Sequence, residues 1–135
     1  MPKRPRTIYL IKRLETHIRI KLEAGLQDLA LTPGQYTTMS VILGGPISSA
    51  SLARRVGITP QSMSEVIATL ERKELVARSL RDDNRRIADL TLTAAGTALL
   101  HSAELRVDAL EQELFDGLAE DQIDSLRLAL EAVLN

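Results

Sequence analysis

Along the first thirty residues Tyr9, Leu10, Leu14, Ile18 and Leu22 return every three or four positions, with Lys12, Arg13, Arg19 and Lys21 between them. That period predicts an amphipathic helix from Arg6 to about Leu29. Thr32 followed by Pro33 is an N-cap with proline at the first helical position, so a second, short helix runs to Leu43 and stops at Gly44-Gly45-Pro46. Ser48 or Ser49 caps a third helix, Ser51–Val56, ended by Gly57, and Thr59-Pro60 starts a fourth that runs to about Lys73. Beyond Glu74 the period shortens. Leu75–Arg81 and Ile87–Leu92 flank the polar turn Asp82–Arg86, which predicts a β-hairpin. Thr93 caps a long fifth helix through about Phe115, and a sixth runs from about Glu120 to Val133. The expected order is α-α-α-α-β-β-α-α, a mainly α fold with a small β-hairpin (α+β). With no internal repeat or low-complexity linker, residues 1–135 are expected to form one domain.

Composition supports this and removes several functions. The chain is 44% hydrophobic but only 2% aromatic, so its core must be built from Leu, Ile, Val and Ala, which suits helices packed on helices. It has no cysteine, hence no disulfide, thiolate metal site or redox-sensing thiol, and a reducing cytoplasm is the expected compartment. No apolar run approaches the roughly 20 residues that cross a bilayer. The basic start Met1–Arg6 leads into an amphipathic segment rather than a signal-peptide core. His17 and His101 are too few and too far apart for a metal site. A glycine-rich phosphate loop, a Ser/His/Asp or Cys/His set and a carboxylate pair in an apolar setting are all missing, so neither a cofactor nor enzymatic turnover is expected.

Charge adds a direction. Although the net charge is −1, residues 1–92 hold fifteen Lys and Arg against nine Asp and Glu, whereas residues 93–135 hold two against nine. A basic working part and an acidic tail region follow.

The third and fourth helices are joined by only three residues, and Leu52, Ala53, Val56, Gly57, Ile58, Met63 and Val66 fall where a helix-turn-helix places its core. In the fourth helix Met63, Val66, Ile67 and Leu70 form an i, i+3, i+4, i+7 stripe that must face inward. The opposite face then carries Gln61, Glu65, Ala68 and Arg72, flanked by Ser62, Ser64 and Thr69, with Thr59 at its start. Short polar side chains and one amide near the N-terminal half suit approach to base edges in a major groove, where Gln pairs with adenine and Glu accepts from cytosine. Arg54, Arg55, Arg72 and Lys73 are expected on phosphates. The same residues also suit a merely soluble helix face, or a module that binds protein, and salt dependence of binding separates the cases. At the hairpin tip Arg85 and Arg86 stand together, as a flexible surface turn or as a wing reaching into a minor groove.

The stretch Asp82-Asp83-Asn84-Arg85-Arg86-Ile87-Ala88-Asp89-Leu90-Thr91-Leu92-Thr93-Ala94-Ala95-Gly96 resembles the wing signature of the multiple-antibiotic-resistance regulator (MarR) family. Further matches are Leu31-Thr32 with Gln35-Tyr36, and Leu52-Ala53 through Leu70-Glu71-Arg72-Lys73. The resemblance implies a winged helix-turn-helix dimer that binds double-stranded DNA, regulates nearby genes as a repressor or activator, and is relieved by a small ligand. On that basis residues 30–96 are the DNA-binding region and residues 1–29 and 97–135 the dimerisation helices.

By resemblance Arg86 is the groove-inserting residue. Asn84 stands where the family carries an aspartate, an amide able to hydrogen-bond Arg86 but not to pair its charge, for which Asp83 is the nearest substitute. Glu74 replaces a customary glycine and is tolerated best if its backbone keeps a negative φ. Glu65 stands where relatives often carry a basic side chain. A small aromatic or anionic effector is expected between the dimer helices and the winged part, beside Arg13, His17 and Tyr36, although Tyr36 also has core spacing. The dimer is expected on independent grounds as well. The basic residues Lys3, Arg4, Arg6, Lys12, Arg13, Arg19 and Lys21 face an acidic C-terminal part, and Leu99, Val107, Leu110, Leu114, Leu118, Ile123, Leu126, Leu130 and Val133 offer more apolar surface than one thin domain covers.

Overall fold

A computed structural model describes all residues from Met1 to Asn135. Its elements are α1 (Thr7–Leu26), a 3-10 turn (Gln27–Leu29), α2 (Pro33–Leu43), β1 (Ile47–Ser48), α3 (Ser49–Val56), α4 (Pro60–Arg72), β2 (Val76–Leu80), β3 (Ala88–Leu92), α5 (Ala94–Leu114) and α6 (Glu120–Leu134). The six helices and the hairpin fall where the hydrophobic pattern places them. Local chemistry explains why. The side chains of Thr32, Ser48, Thr59 and Thr93 each accept a backbone N–H three residues on, which satisfies one of the orphan donors at a helix start. At Thr32 the cap is reciprocal, because the Gln35 side chain in turn accepts the Thr32 N–H at 3.2 Å. Gly57, at φ 82°, ends α3 in the left-handed region that the tight turn requires.

Two departures from expectation concern the secondary-structure elements. The first is β1, which pairs antiparallel with β3 through Ile47–Leu90 and Ser48–Asp89 and makes a three-stranded sheet in the order β1-β3-β2. The second is the first helix, whose last three residues tighten into the 3-10 turn, closed by Ala30 at φ 55°.

The core lies between α2, α3, α4, the sheet and the N-terminal half of α5. Met39, Leu52, Met63, Ile67, Leu70, Leu90 and Leu100 are fully buried there, joined by Leu26 from the end of α1. Each such side chain contributes roughly 1.5–3 kcal/mol through burial. At the joint between sheet and α5 the chain has no slack: the Thr93 N–H and hydroxyl donate to the carbonyls of Leu75 and Glu74, and a Cβ built on Gly96 would lie 2.0 Å from the Leu75 oxygen. In contrast α6 buries no residue, and Ile8, Tyr9, Leu10 and Ile11 at the start of α1 are exposed.

Glu74 corrects one expectation, since its backbone adopts φ 60° rather than staying negative. A side chain in that region costs about 1 kcal/mol, and the Glu74 carboxylate makes no hydrogen bond or ion pair that would offset it. Glu74→Gly is therefore expected to raise stability by about 1 kcal/mol, less the entropy glycine adds to the unfolded chain. A urea titration of the two chains checks the sign, and a lower midpoint for the glycine variant would contradict it.

Candidate nucleic-acid interface

The stripe of α4 that the sequence turns inward is inward: Met63, Ile67 and Leu70 are buried and Val66 is half-buried. Ala53, buried in α3, is small enough for the two helices to approach. Ile58 is the exception among the expected core residues. It sits on the turn between the helices and stays 37% exposed, because the left-handed Gly57 directs the chain back toward solvent before α4 begins.

With the stripe fixed, Gln61, Ser62, Ser64, Glu65, Ala68 and Arg72 are exposed together, and Thr69 is half-buried at their margin. Several are already engaged within the helix. The Thr59 hydroxyl donates to Ser62 Oγ (2.9 Å), the Ser64 hydroxyl to the Pro60 carbonyl (3.0 Å), the Thr69 hydroxyl to the Glu65 carbonyl (3.1 Å), and Arg72 Nη2 to Thr69 Oγ1 (3.0 Å). Gln61 and Glu65 have no side-chain partner, so both side chains are wholly free to meet another molecule. In α3, Arg54 donates to Ser51 Oγ at 3.0 Å while Arg55 is unpaired, and both are exposed. Lys73 behaves differently. Its ammonium donates to the Ala30 carbonyl and to Gln35 Oε1, at the junction of α1 and α2.

The wing is built in two stages. At its base Arg81 Nε meets Asp89 Oδ1 at 2.9 Å, and Arg78 Nε meets Glu71 Oε1 at 2.9 Å, which anchors β2 to α4. At its tip the Arg81 N–H donates to the Ile87 carbonyl and the Ile87 N–H to the Asn84 carbonyl. Arg85 and Arg86 are thus the two central residues of a β-turn. Asn84 does hydrogen-bond Arg86, but through the backbone: its Oδ1 accepts the Arg86 N–H at 3.1 Å, an Asx turn that shapes the tip. No ion pair joins Asp83 to Arg86, so the expected substitution by that acid does not occur. Both arginine side chains are exposed and unpaired.

Of the residues expected near an effector, Tyr36 lies apart from the other two. It lines a largely apolar cavity of about 280 Å³ between α1, α2, α5 and α6, together with Leu14, Ile18, Lys21, Leu22, Leu110, Leu114 and Leu126. Its hydroxyl donates to Glu104 Oε2 at 3.0 Å. Burial, reinforced by that carboxylate acceptor, pushes the phenol up to about 12, so it remains a donor throughout the physiological range. Arg13 and His17 instead border a shallow surface depression with Tyr9, where the Arg13 guanidinium lies 5.7 Å from the Tyr9 ring centre.

No pattern in the sequence singles out Glu104 or Arg106. Glu104 of α5 holds α2 of the winged part through Tyr36 and the Ser40 hydroxyl, whereas Arg106 of α5 ties the two long helices to each other through Asp28 and the Gly25 carbonyl. Asp28 is lowered and Arg106 raised by their mutual hydrogen bond. No spacing in the sequence announces such pairs, which lie 64 to 81 residues apart.

A helix-turn-helix followed by a two-stranded wing, with the third strand supplied just before it, defines a winged helix-turn-helix protein. The MarR family model matches residues 31–88. The HTH-type transcriptional repressor Rv2887 of Mycobacterium tuberculosis is 34% identical over 124 residues, 91% of this chain and 89% of that one. The chain belongs to the MarR family of transcription regulators. Among solved structures it is similar to M. tuberculosis Rv2887 in complex with p-aminosalicylic acid, with a TM-score of 0.79 at 31% identity over 97% of this chain and 100% of that one. It also resembles the repressor CouR of Rhodococcus jostii RHA1 bound to a 23-mer DNA duplex, with a TM-score of 0.88 at 24% identity over 96% of this chain and 93% of that one.

Proposed function

We propose that this chain is a cytoplasmic, homodimeric repressor that binds near-palindromic double-stranded DNA through α4 and the wing and is released by a small aromatic or anionic effector. The observation that carries it is the pairing of an unengaged Gln61–Glu65 face on α4 with an unpaired Arg85-Arg86 tip. On that reading Gln61 and Glu65 read base edges, Arg54, Arg55 and Arg72 hold phosphates, Thr59, Ser62, Ser64 and Thr69 line the approach, and Arg86, set by Asn84, enters the minor groove beside Arg85. Residues 30–96 carry this work, and residues 1–29 and 97–135 carry dimerisation. The effector belongs in the cavity at Tyr36, where an apolar wall with Lys21 at its rim suits an aromatic acid, and p-aminosalicylic acid bound to the related Rv2887 supports that class. Arg13 and His17 join the site only if the partner chain brings them to it. Regulation proceeds by binding and not by turnover, and no helix of the chain is long and apolar enough to cross a membrane.

The test is binding of duplexes selected from random-sequence DNA, measured across salt concentrations. Arg86→Ala is expected to weaken specific binding by roughly 1–3 kcal/mol with folding unchanged, and Gln61→Ala to relax base preference at one or two positions in each half-site. Unchanged affinity for the first variant, or a uniform loss across all sequences for the second, would remove these assignments.

A further inference from the structure

The geometry points to Lys73 as a positioning residue: its ammonium fastens the C-terminal end of α4 to the α1–α2 junction and so sets the angle at which the long helices carry the recognition helix. The inference rests on the DNA-binding reading above. Lys73 is the C-cap of α4, and its own N–H returns to the Thr69 and Glu71 carbonyls, so the base of its side chain is fixed to the helix end. The ammonium reaches acceptors 43 and 38 residues earlier in the chain.

Both acceptors sit at a joint. Ala30, in the left-handed region, closes the turn after α1, and its carbonyl lies outside any helix with Lys73 as its donor. Gln35 Oε1 already holds the Thr32 N–H in the cap of α2 and takes the ammonium as a second donor at 3.2 Å. One cation with three donors therefore ties together the end of α1, the start of α2 and the end of α4. Arg54, Arg55 and Arg72, by contrast, have only short-range hydrogen bonds or none, so Lys73 alone among the cations of this region bridges helices. The consequence concerns register on DNA. Because α1 belongs to the dimerisation helices, a fixed angle between α1 and α4 fixes the distance and rotation between the two recognition helices of a dimer, and hence the half-site spacing accepted.

The experiment uses the full-length chain and the duplex it selects from random-sequence DNA, with a second duplex carrying one base pair inserted between the half-sites, which rotates one of them by about 35°. Lys73→Met is expected to bind the selected duplex roughly three- to tenfold more weakly. The slope of log affinity against log salt should match wild type, and the penalty for the inserted base pair should shrink, because an untethered α4 follows the rotated half-site. Lys73→Arg, which keeps a donor at this reach, should restore both affinity and spacing penalty. A slope smaller by about one for Lys73→Met makes Lys73 a phosphate contact and overturns the tether, as does an undiminished spacing penalty. A wild-type chain that selects no duplex and binds DNA without salt dependence defeats the DNA-binding reading itself, and the tether with it.

Discussion

Replacing Gly96 by alanine is expected to lower stability by about 3 kcal/mol, more than any conservative change on the surface of this chain. The reason is space. Gly96 lies in the first turn of α5, its N–H bound by the Thr93 hydroxyl, and an added methyl carbon would meet the Leu75 carbonyl oxygen at 2.0 Å and the Leu75 carbonyl carbon at 3.0 Å. Both are backbone atoms of the segment that leads into β2, so no side chain can turn aside. Relief requires α5 to move off the sheet, which breaks the Thr93 bonds to Leu75 and Glu74 and loosens Leu100 and Ala103 in the core. Gly117 supplies the control, because nothing lies within 4 Å of the Cβ it would gain, and Gly117→Ala should shift stability by no more than about 0.5 kcal/mol. Urea titrations compare the three chains. A Gly96→Ala midpoint equal to that of wild type would mean that the α5 joint yields freely.

Removing residues 118–135 is expected to abolish dimerisation and tight DNA binding while leaving the winged part folded. This segment contains α6, which buries no residue in the single chain, and Leu128, Val133 and Leu134 are 66%, 80% and 84% exposed. At the other end of the chain Ile8 and Ile11 are 72% and 46% exposed. Covering each such side chain contributes roughly 1.5–3 kcal/mol. Charge pairing between the basic N-terminal and acidic C-terminal parts occurs already within the chain, where Lys21 lies 3.7 Å from Glu113, and contacts of this exposed kind add only ~0–1 kcal/mol each. Burial rather than charge should hold the dimer. Of the core residues none lies beyond Ala103, so the truncated chain keeps its core and loses only the helical signal of α6 itself. DNA affinity falls because two half-sites are no longer bound together. A truncated chain that sediments as a dimer at micromolar concentration would place the interface elsewhere.

The elements legible in the sequence are those announced by local chemistry. Thr32-Pro33, Thr59-Pro60, Ser48 and Thr93 mark helix starts because a cap acts over three residues, and the Met63–Leu70 stripe marks the buried face of α4 because a helix repeats every 3.6. β1 is not legible because two residues after Gly44-Gly45-Pro46 carry no period, and only pairing with Leu90 and Asp89, some forty positions on, makes them a strand. Lys73 illustrates the limit for side chains. Its charge and its place at the end of α4 suggest a phosphate contact, but its partners within the chain depend on the left-handed turn at Ala30, which nothing nearby in the sequence signals. Tyr36 is legible as a helix residue with core spacing and is half-buried, but its Glu104 partner, 68 positions away, is not legible.

Ser48 belongs at once to β1, where it pairs with Asp89 of the wing, and to α3, whose N-terminus it caps. The wing therefore shares a strand with the residue that begins the helix-turn-helix, and Arg78 binds its other strand to α4 through Glu71. α4 and the base of the wing are thus held to each other at both edges of the sheet, with the arginine tip projecting beyond them. On the DNA-binding reading, the spacing between the two such heads of a dimer is then set by how each is held to α1 and α5, at Lys73 on one side and at the Thr93 joint on the other.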